Sequence, residues 1–152
     1  MKHRPKISLY EPDIPQNTAA IIRTCACLEA ELEIIEPCGF LFSDKRFKRV
    51  VMDYMDYSKI KFYQSAEHFF EEKKNQRIVL MTTKGSINYT KFNFKADDTI
   101  LFGRESAGVP EKVHKLIGDR LKIPMNEKVR SLNIASSVAI VLAESLRQNN
   151  LM

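Results

Sequence analysis

Apolar residues in this chain recur in two rhythms, short dense runs and longer stretches with helical spacing. Lys6-Ile7-Ser8-Leu9-Tyr10 reads as a first strand. Glu11 to Pro15 is a loop, because two prolines forbid a regular ladder. A helix starts near Pro15 to Asn17 with proline in its first turn, and Ala19, Ile22, Ala26 and Ala30 follow at helical intervals. Leu32-Glu33-Ile34-Ile35-Glu36 is a second strand, stopped by Pro37-Cys38-Gly39. Ser43 or Asp44 caps a short helix running to about Asp53, Lys59 to Tyr63 forms a strand, and Ser65-Ala66-Glu67 opens a helix through Lys74. Arg77 to Thr82 and Thr99 to Gly103 are compact apolar runs bounded by polar residues, as buried parallel strands are. Pro110 starts a helix to about Ile117, Arg120 to Pro124 is a last strand, and Asn133 to Gln148 is a helix with Ile134, Val138, Val141, Leu142 and Ser145 along one stripe.

Strands alternating with helices predict an α/β fold, a mostly parallel sheet with helices on both faces. The 152 residues fit one domain spanning 1–152, without repeats, low-complexity segments or linkers. In such folds ligands bind beyond the carboxyl ends of the strands. The loops after Met81, Gly103 and Ile123 are therefore the places where chemistry is expected.

Composition narrows the class. With 44% hydrophobic and 28% charged residues the chain is globular rather than disordered. No apolar run approaches the length of a membrane span. The basic N-terminus Met1 to Pro5 is followed only by the short Ile7 to Tyr10 run, too short for a signal-peptide core, so a cytoplasmic protein is expected. Cys25, Cys27 and Cys38 are read as small packing residues rather than a disulfide framework. His3, His68 and His114 are scattered, so no metal is expected. The net charge of +5 favours an anionic partner, nucleic acid first. Lys45, Arg46, Lys48 and Arg49 gather on one short helix, and Lys2, Arg4 and Lys6 at the N-terminus. Such runs are solvated faces or phosphate contacts.

Three loops carry the candidate chemistry. The first is Thr82-Thr83-Lys84-Gly85. The second is Phe102-Gly103-Arg104-Glu105-Ser106-Ala107-Gly108-Val109-Pro110. The third is Ile123-Pro124-Met125-Asn126, with Arg130-Ser131-Leu132-Asn133 before the final helix. Glycine in the second loop lets backbone approach a ligand closely. It is neither the G-x-G-x-x-G fingerprint nor a phosphate-cradling P-loop. Singly these are turns and caps; together they suggest a small-molecule pocket made from backbone groups.

These segments, with Leu9 to Thr18, Ile21 to Cys25, Ile35-Glu36-Pro37, Gly39-Phe40 and Asp44-Lys45-Arg46, resemble the SPOUT superfamily of methyltransferases, most of all its short TrmL-type tRNA 2′-O-methyltransferases. The resemblance covers nearly the whole chain in order and spacing. It implies an α/β fold whose C-terminal segment makes a trefoil knot, and a homodimer with its site near the subunit interface. It also implies S-adenosylmethionine bound in the knot by Met81, Thr82, Gly103, Ile123, Ser131 and Leu132. The apolar side chains of Met81, Ile123 and Leu132 suit the faces of adenine, and Ser131 either caps the last helix or touches the ligand. The implied reaction is 2′-O-methylation of a ribose in RNA, at position 34 of tRNA, a cytidine or a modified uridine. Another tRNA or rRNA ribose, or a knotted dimer that binds RNA without turnover, is the alternative.

By the same resemblance Arg23, Asn17 and Glu105 carry catalysis; the charge cluster on the short helix, independently, marks Lys45, Arg46 and Arg49 as the residues expected to meet the RNA. Methyl transfer needs the hydroxyl aligned and its proton removed. Arginine stays protonated in proteins, so Arg23 is expected to hold a phosphate or the developing alkoxide. Glu105 would orient Arg23 or the loop, or else serve as a helix-start charge near Pro110. Asn17 would hold the arginine or the ribose. Relatives acting at position 34 often carry a tyrosine before a glutamate in the final helix, where this chain has Ala143-Glu144. The chain also has Thr18-Ala19-Ala20 where a glycine is common, and Arg104 in the second loop.

Overall fold

The computed structural model describes residues 3–55, 59–129 and 131–152. Along the chain come β1 (Lys6–Tyr10), α1 (Pro15–Leu28), β2 (Glu31–Ile35), α2 (Lys45–Met55), β3 (Ile60–Tyr63), α3 (Ala66–Glu72) and β4 (Ile78–Met81). They are followed by β5 (Ile87–Asn88), β6 (Thr99–Phe102), α4 (Glu111–Leu116), β7 (Asp119–Lys122) and α5 (Ile134–Gln148). Every run expected to be a strand or helix forms one. The two-residue β5 was not expected, since Ile87-Asn88 is too short to show an alternation.

The strands form one sheet in the order β3-β2-β1-β6-β4-β7-β5. Each pairing among the described residues is parallel. The order makes β6, β4 and β7 consecutive neighbours, so the three loops singled out above leave the sheet side by side. β1 lies next to β6, which puts the loop into α1 beside them.

Both faces of the sheet are buried, which is why its strands read as dense apolar runs. Val79 and Met81 join Ile21, Ile22, Val51, Val138, Val141 and Leu142 in a core under α1, α2 and α5. Leu80, one residue out of phase, joins Phe69, Leu101, Val113 and Ile117 under α3 and α4. Burying each such side chain stabilises the fold by about 1.5–3 kcal/mol. The second face also holds a buried ionic cluster. Glu33, 4% exposed, accepts hydrogen bonds from Ser8 Oγ at 2.7 Å and Tyr63 OH at 3.1 Å, and pairs with Lys73 Nζ at 2.6 Å.

Helix starts follow local chemistry. Asp44 caps α2, its Oδ1 accepting from the Arg46 amide at 2.8 Å, and Ser65 Oγ accepts from the His68 amide at the start of α3. Asn133 Oδ1 accepts from the amides of Ala135 and Ser136 at 2.8 and 3.4 Å and so caps α5. The capping role considered for Ser131 therefore belongs to Asn133, the residue next to the helix. Arg4 donates to the Leu28 and Glu29 carbonyls at the end of α1, at 2.6 and 2.9 Å. That guanidinium is committed to a helix C-terminus and is not a free phosphate contact. Lys2 and Arg130 lie outside the described residues.

Candidate active site

A cavity of about 380 Å³ opens at the carboxyl ends of β4, β6 and β7. Met81, Thr82, Gly103, Ile123, Ser131 and Leu132, the six residues singled out for a cofactor, all line it. Of these, Met81 is buried at 8% exposure, while Leu132 is 40% exposed. The volume falls within the range of small-molecule sites, about 300–1,000 Å³. The apolar side chains of Met81, Ile123 and Leu132 line it together with loop residues, a combination suited to the faces and edge of a purine.

The loop after β6 is held in shape by its own backbone. Arg104 N donates to Gly108 O at 3.2 Å and Gly108 N to Arg104 O at 2.8 Å. Gly108 adopts φ of 66°, a conformation that favours glycine. A Cβ on Gly103 would lie 2.6 Å from Gly108 Cα. One close approach that requires glycine at 103 is thus to the returning strand of the same loop.

Thr82 is fixed from two sides. Its Oγ1 accepts from the Lys84 amide at 3.2 Å and lies 3.4 Å from His114 Nε2. His114, 8% exposed on α4, also lines the cavity. Reading the histidines as scattered missed it; the usable signal was its place beside Val113 on the inward side of a short helix.

Glu105 joins this cavity to the start of α1. Its carboxylate accepts from the Asp13 and Ile14 amides, each at 3.2 Å, and from Asn17 Nδ2 at 3.3 Å. α1 has no side-chain cap of its own, so this carboxylate supplies the negative charge that a helix N-terminus favours. Glu105 thus orients the β1–α1 loop and serves α1; it is not the helix-start charge of α4. Asn17 Oδ1 in turn accepts from Asn133 Nδ2 at 3.0 Å. Both ends of the Asn17 amide are engaged, one to each motif. Asn133 was not among the expected site residues, although its position before the final helix was visible.

The same junction is reinforced beside Glu105. Ser106 Oγ donates to Asp13 Oδ2, and Arg104 lies 3.6 Å from both Glu11 and Asp13 carboxylates. Burial works to raise the proton affinity of Asp13. The Ser106 hydrogen bond and the Arg104 charge outweigh it and hold that carboxyl below its usual range.

Arg23 lies elsewhere. It lines a second cavity, of about 640 Å³, between α1 and α2, together with Arg46. Six positions separate Asn17 from Arg23, which is roughly 9 Å along a helix and a third of a turn around it. Within one chain the structure brings Asn17 and Glu105 together and leaves Arg23 out of the first cavity's lining. Lys45, Arg46 and Arg49 are exposed on α2, whose Phe47 and Val51 are buried. Of the cysteines, Cys25 is buried and packed, whereas Cys27 is exposed; burial pushes the Cys25 thiol up to about 12.

Comparison with known proteins fits this geometry. The profile described as "SpoU rRNA Methylase family" matches residues 5–143. A relative from Beijerinckia indica subsp. indica, named tRNA (cytidine(34)-2'-O)-methyltransferase, is 48% identical over 144 residues, covering 93% of this chain and 90% of its own. The Escherichia coli (strain K12) protein of the same name is 36% identical, with 93% and 92% covered. A solved structure described as "Structural insights into the 2-OH methylation of C/U34 on tRNA" superposes with a TM-score of 0.91 at 37% identity, over 96% of each chain.

Proposed function

The chain belongs to the SpoU rRNA Methylase family, and on that premise we propose that it methylates the 2′-hydroxyl of the nucleotide at position 34 of tRNA, a cytidine or modified uridine, with S-adenosylmethionine as donor. The observation that carries this reading is the convergence of Met81, Thr82, Gly103, Ile123, Ser131 and Leu132 on one cavity. The printed names of the relatives supply the tRNA and the position. S-Adenosylmethionine fits the lining: Met81, Ile123 and Leu132 would pack on the adenine, and the backbone of the three loops would read its edge. When bound, it supplies an electrophilic methyl group.

The remaining work falls to side chains of this protein. The Glu105–Asn17–Asn133 chain of hydrogen bonds fixes the β1–α1 loop against the cofactor loops, so that the acceptor and donor sites keep their spacing. Arg23 remains a cation; it holds an RNA phosphate or the developing alkoxide, and the hydroxyl proton leaves through another group or water. Lys45, Arg46 and Arg49 give the RNA an electropositive face. The working unit is a homodimer of one-domain chains spanning 1–152, in the cytoplasm. The separation of Arg23 from the cofactor cavity favours a site completed across the subunit boundary. The trefoil knot belongs to the same reading, and the packing of α5, which follows β7, on α1 supports it. No helix among the described residues is long and apolar enough to cross a membrane.

Ala143, where relatives acting at position 34 often carry tyrosine, favours a second reading in which another tRNA or rRNA ribose is the target. Incubation with S-adenosylmethionine and unmodified tRNA, followed by nucleoside mapping, decides between them. A 2′-O-methyl mark at position 34 is expected. A mark elsewhere selects the second reading. Binding of the donor without transfer to any tRNA or rRNA overturns both.

A further inference from the structure

The groove between α1 and α2 shares no lining residue with the cofactor cavity. Its lining is aromatic and apolar: Phe40 and Phe47 meet at 5.3 Å between ring centroids with their planes tilted by 40°, and Ala19 lines the same groove. Its rim leaves two large apolar side chains in solvent, Leu41 at 72% and Val50 at 66% exposure. Single exposed apolar residues need no explanation. Here two of them border a cavity of about 640 Å³ that two arginines, Arg23 and Arg46, also line.

We propose that this groove seats one unpaired nucleotide of the RNA, its base against the apolar lining and its phosphate at the rim arginines. The proposal rests on the reading of the chain as an RNA methyltransferase and says where that substrate docks. Charge selects the occupant. Every base has an apolar π-face and every nucleotide an anionic phosphate, and sites for single-stranded nucleic acid pair a stacking surface with cations. The side chain of Arg46 is 90% exposed and forms an ion pair with Asp44 at 3.3 Å. Such an exposed pair is weak, so the guanidinium is available to a phosphate. Among the described residues Asp44 is the one acidic side chain lining the groove, and its carboxylate already caps α2. A second copy docked with α2 against α2 suits the groove poorly, because Lys45, Arg46, Lys48 and Arg49 would meet their own counterparts. A nucleotide seated here lies beside Arg23, the side chain assigned to the phosphate or the alkoxide.

The experiment uses the full chain and two variants. Ala20→Phe fills the groove from the exposed side of α1; Leu41→Glu puts a negative charge on the rim at a solvent-facing position that the fold tolerates. Affinity is measured by fluorescence anisotropy with a labelled, unmodified anticodon stem-loop RNA. S-Adenosylmethionine affinity is read by calorimetry and mass by light scattering. Both variants should bind the RNA about tenfold or more weakly, with donor affinity and mass unchanged. RNA affinity within about twofold of the parent for Leu41→Glu, with the fold intact by circular dichroism, overturns the proposal. So does a change of oligomeric mass in either variant, which would assign the groove to a second copy of the chain. Failure of the methyltransferase reading shows separately, as absence of methyl transfer by the parent protein.

Discussion

Glu105 accepts a hydrogen bond from the side-chain amide of Asn17 at 3.3 Å, across 88 positions of sequence. The same carboxylate receives two backbone amides at the entry to α1. Glu105→Gln replaces one acceptor oxygen by a donor that faces donors. Leaving a buried or half-buried amide unpaired costs about 1–3 kcal/mol, so the melting temperature should fall measurably. Methyl transfer should fall about tenfold or more, because the acceptor and donor loops lose their common anchor. Asn17→Ala should cost less stability, since the two backbone amides keep their acceptor. An unchanged rate for Glu105→Gln in a steady-state assay would remove the carboxylate from the mechanism.

Gly103 and Gly118 make a matched pair. A Cβ at 103 would sit 2.6 Å from Gly108 Cα, whereas one at 118 meets nothing within 4 Å. Gly103→Ala should destabilise the protein by about 1–3 kcal/mol and weaken S-adenosylmethionine binding in calorimetry, because the loop after β6 must open. Gly118→Ala should leave both values near the parent. Equal behaviour of the two variants would show that the loop absorbs the extra methyl group.

The exposed cations on α2 are expected to act on RNA through charge alone. Reversal of Lys45, Arg46 and Arg49 to glutamate should weaken RNA binding steeply at low salt. It should also flatten the dependence of log affinity on log salt, by about one slope unit for each phosphate that the protein no longer neutralises. Donor affinity should not move. A salt titration in which parent and variant give parallel lines would assign those side chains to solvent.

The Arg147 guanidinium beside Glu144, helped by the Gln148 amide, holds the Glu144 carboxyl down at about 2. A carboxyl with a lowered folded-state value stabilises the protein above its ordinary value of 4.5. That contribution disappears as the pH falls from there towards 2. Urea midpoints of the parent and Glu144→Gln should therefore differ at pH 6 and converge near pH 2. A constant gap across that range would mean that the side chain acts by packing rather than by its charge. Arg147 is 69% exposed, so the effect should shrink in high salt.

What the residues reveal before folding, and what they conceal, divides along physical lines. Strands buried on both faces appear as dense apolar runs, and Arg77 to Thr82 announces β4 almost to its ends. The loops that follow them were equally visible, and six residues in and next to those loops meet at one cavity. The partners of Glu105 were not visible. Hydrogen bonds between segments so far apart leave no period in the chain, and a glutamate near Pro110 looks like the opening charge of the next helix. Ser131 and Asn133 are both good caps by type; only backbone geometry chooses Asn133. His114 carries no motif, and its position against Thr82 follows from where α4 packs. Arg23 was legible as a residue of interest, but its distance from the cofactor cavity was not.

The buried pair of Glu33 and Lys73 has a consequence for how β2 finds its place. Strands that are apolar on both sides carry little to distinguish one alignment from the next. A slide of one position would turn Glu33 over, into the packed hydrocarbon beneath α1 and α5, away from its ammonium partner and from the Ser8 and Tyr63 hydroxyls. A lone carboxylate there is far costlier than any apolar mismatch. The ion pair thus works as an alignment key: it adds little to the strength of the sheet, yet it raises the neighbouring misfolded pairings far above the native one.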